Sequence, residues 1–216
     1  MKKIILLLVL FIINPSNSQS NKKQSSSEKY LFNIITKKEF ESKRNQETLF
    51  INKDSIKHPK IDDKIILELN NDKKIILLDN SGIPYDENRI NYKYVGYIDL
   101  MSSYLIRVKK YDDTFYLLIN ILNGKEIILQ SYPLISPNKK YLITCYLNQF
   151  DELENINPPF NEIIIYSIKG SNLKKIVKKN YKHVINEMFW GNDNKIYFKV
   201  NLLKSETINY LALKIN

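Results

Sequence analysis

The chain has 216 residues, 44% of them hydrophobic and 12% aromatic, with a formal charge of +10 and a single cysteine. That length fits one domain, or two small ones, with a sizeable core, and one cysteine excludes an internal disulfide, so packing must hold the fold. Only Arg44, Arg89 and Arg107 are arginines among lysines scattered along the whole chain, which argues against a nucleic-acid reader that would lean on arginine's planar fork.

Met1-Lys2-Lys3 precedes an unbroken apolar run of ten residues, Ile4 to Ile13, and the polar stretch Asn14-Pro15-Ser16-Asn17-Ser18-Gln19 follows. A charged start, a short apolar run and a helix breaker predict a secretory signal peptide over residues 1–18. Ser16 and Ser18 supply the small side chains needed before the cut, so cleavage is expected after Ser18 and the mature protein in the periplasm or outside the cell. Ten apolar residues fall short of the roughly 20 needed to span a bilayer. No later stretch approaches that length, so the mature chain is expected to carry no transmembrane span.

Residues 19–29 are polar and form an expected flexible lead-in, and residues 30–216 an expected single β-rich domain. Within it 30–64 is irregular, with Leu31, Ile34 and Ile35 at the spacing of a short helix. From Ile65 onward the pattern is of strands. Ile65–Leu69 and Lys74–Leu78 flank the turn Asn70-Asn71-Asp72. Tyr92–Ile98 and Tyr104–Val108 follow, then Phe115–Ile121 and Glu126–Leu129 around Asn123-Gly124, a pair suited to a tight hairpin. Tyr141–Leu147, Glu162–Ile168, Leu173–Val177, Lys195–Val200 and Ile208–Leu213 complete an antiparallel meander. Cys145 falls in one of the most apolar of these runs and is expected to be a buried, inert thiol.

Two segments share a pattern 55 residues apart: Tyr132-Pro-Leu-Ile-Ser-Pro-Asn-Lys-Lys-Tyr-Leu142 and Met188-Phe-Trp-Gly-Asn-Asp-Asn-Lys-Ile-Tyr-Phe198. Each sets a bulky residue (Ile135, Trp190) before a polar turn, then Lys, then a strand. Ser136, Pro137 and Lys140 in the first copy, and Trp190, Asp193 and Lys195 in the second, resemble the Trp-Ser-Pro-Asp-Gly-Lys signature of WD-repeat-like and Tol-system periplasmic β-propeller blades. The resemblance covers Tyr92 to Asn216 and implies a bulky plug at each seam between blades. Asn138-Lys139 and Asp193-Asn194 stand where Asp-Gly is expected, and Asn accepts the left-handed conformation of such turns more readily than Lys. A closed ring needs about four to eight blades, more than the strands here clearly supply. The expected fold is therefore mainly β, an antiparallel meander forming propeller-like blades in a small or incomplete ring, or a β-sandwich.

Catalytic signatures are missing: no nucleophile elbow, phosphate loop or dinucleotide fingerprint occurs. His58 and His183 lack a second ligand at metal spacing, so neither a metal site nor a cofactor is expected. Asp112-Asp113 reads as a hairpin tip, and Asn192-Asp193-Asn194 as a turn rather than a calcium loop. The segment Asn148–Asn161 is long for a hairpin loop and forms an acidic island in a basic chain. Phe150, Asp151, Glu152, Glu154 and Phe160 are its candidate partner-binding residues, aromatic anchors ringed by charge. Together these features point to an exported, non-catalytic binding protein that recognises a protein or cell-envelope component. A secreted glycan or peptide hydrolase, and a secreted inhibitor or immunity protein, are the alternatives.

Overall fold

The computed structural model describes residues 32–44, 50–54, 56–83, 86–111, 113–148, 160–181, 183–201 and 207–215. These form fourteen strands and one α-helix. In chain order they are β1 (Phe32–Ile35), α1 (Lys37–Arg44), β2 (Lys64–Glu68), β3 (Lys74–Leu78), β4 (Ile90–Ile98), β5 (Ser103–Lys110), β6 (Asp113–Asn120), β7 (Glu126–Leu129), β8 (Leu134–Ile135), β9 (Tyr141–Asn148), β10 (Phe160–Lys169), β11 (Asn172–Tyr181), β12 (Val184–Trp190), β13 (Lys195–Asn201) and β14 (Ile208–Lys214). The fold is mainly β and antiparallel. Among the described residues no helix is long and apolar enough to cross a membrane.

The meander breaks into four successive sheets: β2-β3, then β4-β5-β6-β7, then β8-β9-β10-β11, and lastly β12-β13-β14 with β1 returning to pair with β14. Period-two alternation sends successive residues of one strand into different cores. Tyr104, Ile106 and Val108 of β5 pack toward the first sheet, beside Ile65, Leu67 and Leu77. Leu105, between them, packs toward the third, beside Leu142 and Ile164. Ile143, Ile163 and Ile165 face the fourth sheet and meet Trp190, Phe198 and Leu211. The inner sheets thus bury both faces, which is why their strands read as continuous apolar runs.

A left-handed residue recurs where the first two strands of each sheet join: Asp72, Ser102, Lys139 and Asn194, with φ of 60°, 46°, 59° and 58°. The two turns in the paired sequence segments are alike, Lys139 N donating to Ser136 O and Asn194 N to Gly191 O. They also touch, Asn138 N donating to Asn194 Oδ1 at 2.9 Å. The bulky residues before them hold equivalent places. Ile135 packs between the second and third sheets, and Trp190 between the third and fourth, with its Nε1 donating to Leu134 O at 3.1 Å.

Three local expectations are corrected. The segment carrying Ile34 and Ile35 is strand β1, its register set by β14, and the helix starts after it. Thr36 Oγ1 accepts from Glu39 N at 3.1 Å and caps α1. Asn123-Gly124 is not a two-residue turn: Asn120 N bonds Lys125 O, and Gly124 alone takes positive φ. Asn120 Oδ1 accepts from Leu122 N and shapes this wider loop. Lys139 takes the left-handed conformation despite its side chain, with Ser136 Oγ bonding Tyr141 O and Asn138 Oδ1 to fix the turn.

Candidate functional site

Of the predicted binding residues, Phe150, Asp151, Glu152 and Glu154 lie outside the described residues. Phe160 begins β10 and pairs with Asn148, so the β9–β10 ladder reaches to the base of that segment. Beside this base Tyr146 hydrogen-bonds Asp113; burial first, then the nearby Asp113 and Glu162 carboxylates, raise its hydroxyl above the usual tyrosine value. Glu162 is itself paired with Lys178 at 2.6 Å. Cys145 lies next to Asn161, whose Oδ1 is 3.7 Å from the thiol. Cys145 is partly buried, and burial pushes its thiol up to about 12, which favours the protonated form at neutral pH.

A concave surface lies at the first sheet, around His58. Its sequence context is a polar loop, but the structure buries the ring between Tyr94 and Tyr104, 4.9 Å from each. Nδ1 is 3.0 Å from Ile66 O. A carbonyl only accepts, so this nitrogen donates, and Nε2 is the ring's second polar atom. Tyr104 donates its hydroxyl to Glu68 O at 2.7 Å. Among the described residues His58 Nε2 and the Tyr94 hydroxyl are both buried without a hydrogen-bond partner. Burial, followed by the neighbouring Asp54, Tyr104 and Tyr97, pushes the Tyr94 hydroxyl up to about 12.

Two hollows flank this histidine. A cleft of about 300 Å³ is lined by His58, Lys60, Ile65, Asn91, Tyr92, Lys93 and Tyr94. A groove of about 520 Å³ runs over the outer face of β2 and β3, lined by Lys57, His58, Pro59, Ile61, Asp62, Lys64, Ile66, Glu68 and Lys74. The cleft wall is braced by Asp79, whose side chain is 3% exposed and pairs with Lys60. Its carboxylate also accepts from the Asn91 carboxamide and from Tyr92 N. Three donors on one buried carboxylate fix the loop before β2 against the start of β4.

The site was invisible in sequence because its parts come from three places: the loop at His58, the hairpin β2–β3 and the strand pair β4–β5. The alternation of Tyr92, Tyr94 and Tyr104 on inward positions was the available signal, but only the register brings His58 onto them. Among the described residues no group of three His, Cys, Asp or Glu side chains could hold a metal. No protein-family model, no curated protein and no solved structure matches this chain.

Proposed function

We propose that the chain is an exported, non-catalytic binding protein that recognises a protein or cell-envelope component through the cleft beside His58. The observation that carries this reading is the pair of buried groups without partners among the described residues, His58 Nε2 and the Tyr94 hydroxyl, on two residues that line one cleft. An unsatisfied buried group costs about 1–3 kcal/mol; both atoms are closed off from the surface, so a ligand recovers that cost where it displaces a neighbouring side chain to reach them. The cleft volume is at the lower end for a small-ligand site, a size suited to one sugar ring or one polar side chain. Tyr92 and Tyr94 supply apolar faces, and the braced wall limits the ordering cost of binding. The recurring left-handed turns, and the seam positions of Ile135 and Trp190, support a blade-like scaffold of the propeller kind beneath this site.

Tyr94→Phe tests the proposal. Removing an unsatisfied hydroxyl should raise the unfolding free energy by about 1 kcal/mol in urea while weakening ligand binding. Titration with cell-wall glycan fragments and peptides, followed by amide NMR, should move resonances of Tyr92, Tyr94 and Lys60. Perturbations confined to the base of the β9–β10 segment, or no binding by either class, would overturn the assignment of the site. Export is tested separately by intact mass, which should begin at Gln19.

A further inference from the structure

We infer that the outer face of the β2–β3 hairpin is a self-association surface whose occupant is a second copy of this chain. The two ends of the stack are unlike. At the far end α1 covers the fourth sheet, burying Phe40 completely against Phe189, Tyr197 and Ala212. At the near end the loop at Lys57 to Asp62 walls one side of the first sheet's outer face and leaves its aliphatic side chains open. Ile66, Ile76 and Leu78 are 47%, 60% and 54% exposed, with Ile61 beside them at 65%. Adjacent exposed aliphatics rimmed by charge mark an interaction surface.

Charge decides the occupant. The outward residues read Lys64-Ile66-Glu68 on β2 and Lys74-Ile76-Leu78 on β3. Across the hairpin Lys64 is opposite Leu78, Ile66 opposite Ile76, and Glu68 opposite Lys74. A face-to-face pair of copies needs a two-fold axis in the plane of contact. An axis across the strands lays β2 on β2 and sets Lys64 against Glu68 of the second copy, twice. An axis along the strands lays β2 on β3 and sets Glu68 against Lys74 of the second copy, twice. Either way Ile66 meets an isoleucine. A row of one sign would call for a partner of the other sign, whereas this row complements its own inverse.

Size sets the strength. Two five-residue strands, at about 3.3 Å per residue and about 4.8 Å apart, offer far less than the roughly 800 Å² per partner of a standard stable interface. The dimer is therefore weak and forms at high concentration. It does not depend on the cleft, which can bind its ligand in the monomer.

Sedimentation equilibrium from about 10 μM to about 1 mM brackets such a weak association. The expected result is a monomer–dimer equilibrium within that range. Glu68→Lys should weaken it at least tenfold, and so should Lys64→Glu with Lys74→Glu. An equimolar mixture of the two variants should restore a dimer, because each then meets its opposite. These side chains are exposed, and circular dichroism should show both variants folded. A wild type monomeric throughout would overturn the inference and leave the face to a different partner. Association that ignores the charge swaps, or a mixture that fails to recombine, would overturn it equally.

Discussion

Asp193 shows how opposing effects on one residue are resolved by its donors. Burial by itself would raise its carboxyl, but the Tyr197 hydroxyl, the Lys195 backbone amide, and the Lys195 and Lys43 ammonium groups together hold it below its ordinary value. The Tyr197 contact is 2.8 Å and the two lysines lie at 3.5 and 3.8 Å. A carboxyl lowered in the fold stabilises it above the unfolded pKa of about 3.9, and that stability is lost as pH falls through the lower folded value. Tyr197 shifts the other way, raised by burial and then by its bond to Asp193. Its contribution is kept below pH of about 10 and lost above. Asp193→Asn should therefore flatten the acid limb of a urea-unfolding profile between about pH 2 and 5, leaving a difference of no more than about 1 kcal/mol at pH 7 because the group is partly solvated. An unchanged acid limb would remove the assignment. At this scale the sequence told part of the story. Trp190 was recognisable from the bulky position before a polar turn as a residue packed between two sheets, whereas Cys145, expected to be buried from its apolar run, is only partly so. His58 was not recognisable, because its burial depends on Tyr94 and Tyr104, brought to it only by sheet register.

At the scale of the element, the four left-handed turn residues are not equivalent. Lys139 reaches over the Phe50 ring, 5.7 Å from its centroid, but among the described residues its side chain makes no hydrogen bond that explains its φ of 59°, and a left-handed conformation costs an L-residue about 1–2 kcal/mol. Lys139→Gly should relieve most of that and raise stability by about 0.5–1 kcal/mol after glycine's extra chain entropy. Asn194→Gly should not, since it deletes the acceptor for Asn138 N and an Asn tolerates the conformation already. Thermal unfolding of the two variants should move in opposite directions, and parallel shifts would mean that the turns are limited by something other than φ. The elements legible in sequence were the long strands flanked by turn residues. Those missed were short or mixed. β8 has two residues, β1 has Ile34 and Ile35 at helical spacing, and β12 carries polar Asn186 and Glu187 beside a register shift. The cap Thr36 with Glu39 was available as a helix-start signal; it was the apolar spacing just before it that pulled the expected helix too early.

For the whole molecule, the decisive pairing is the one farthest apart in sequence. β1 lies on the outer edge of the last sheet, with Phe32 opposite Leu213 and Ile35 opposite Tyr210, a match no local pattern could announce. Phe32 also joins two sheets, its ring 5.3 Å from Phe198 and 5.1 Å from Tyr181. α1 then carries Phe40 over the far face, 5.0 Å from both Phe189 and Tyr210. Residues 32–44 thus clamp the C-terminal sheet at its edge and across its outer face. Packing and edge protection can be separated experimentally. Phe32→Ala removes the ring but keeps the ladder, and should cost about 2–3 kcal/mol, below the full large-to-small range because the ring is only partly buried. That variant should remain monomeric at low micromolar concentration. A chain starting at Lys37 loses both and bares the backbone of β14, an unpaired edge of the kind that templates aggregation. It should unfold at lower urea than Phe32→Ala and scatter light in a concentration-dependent way. Equal stability of the truncated and full-length chains would show that β1 decorates the last sheet without holding it.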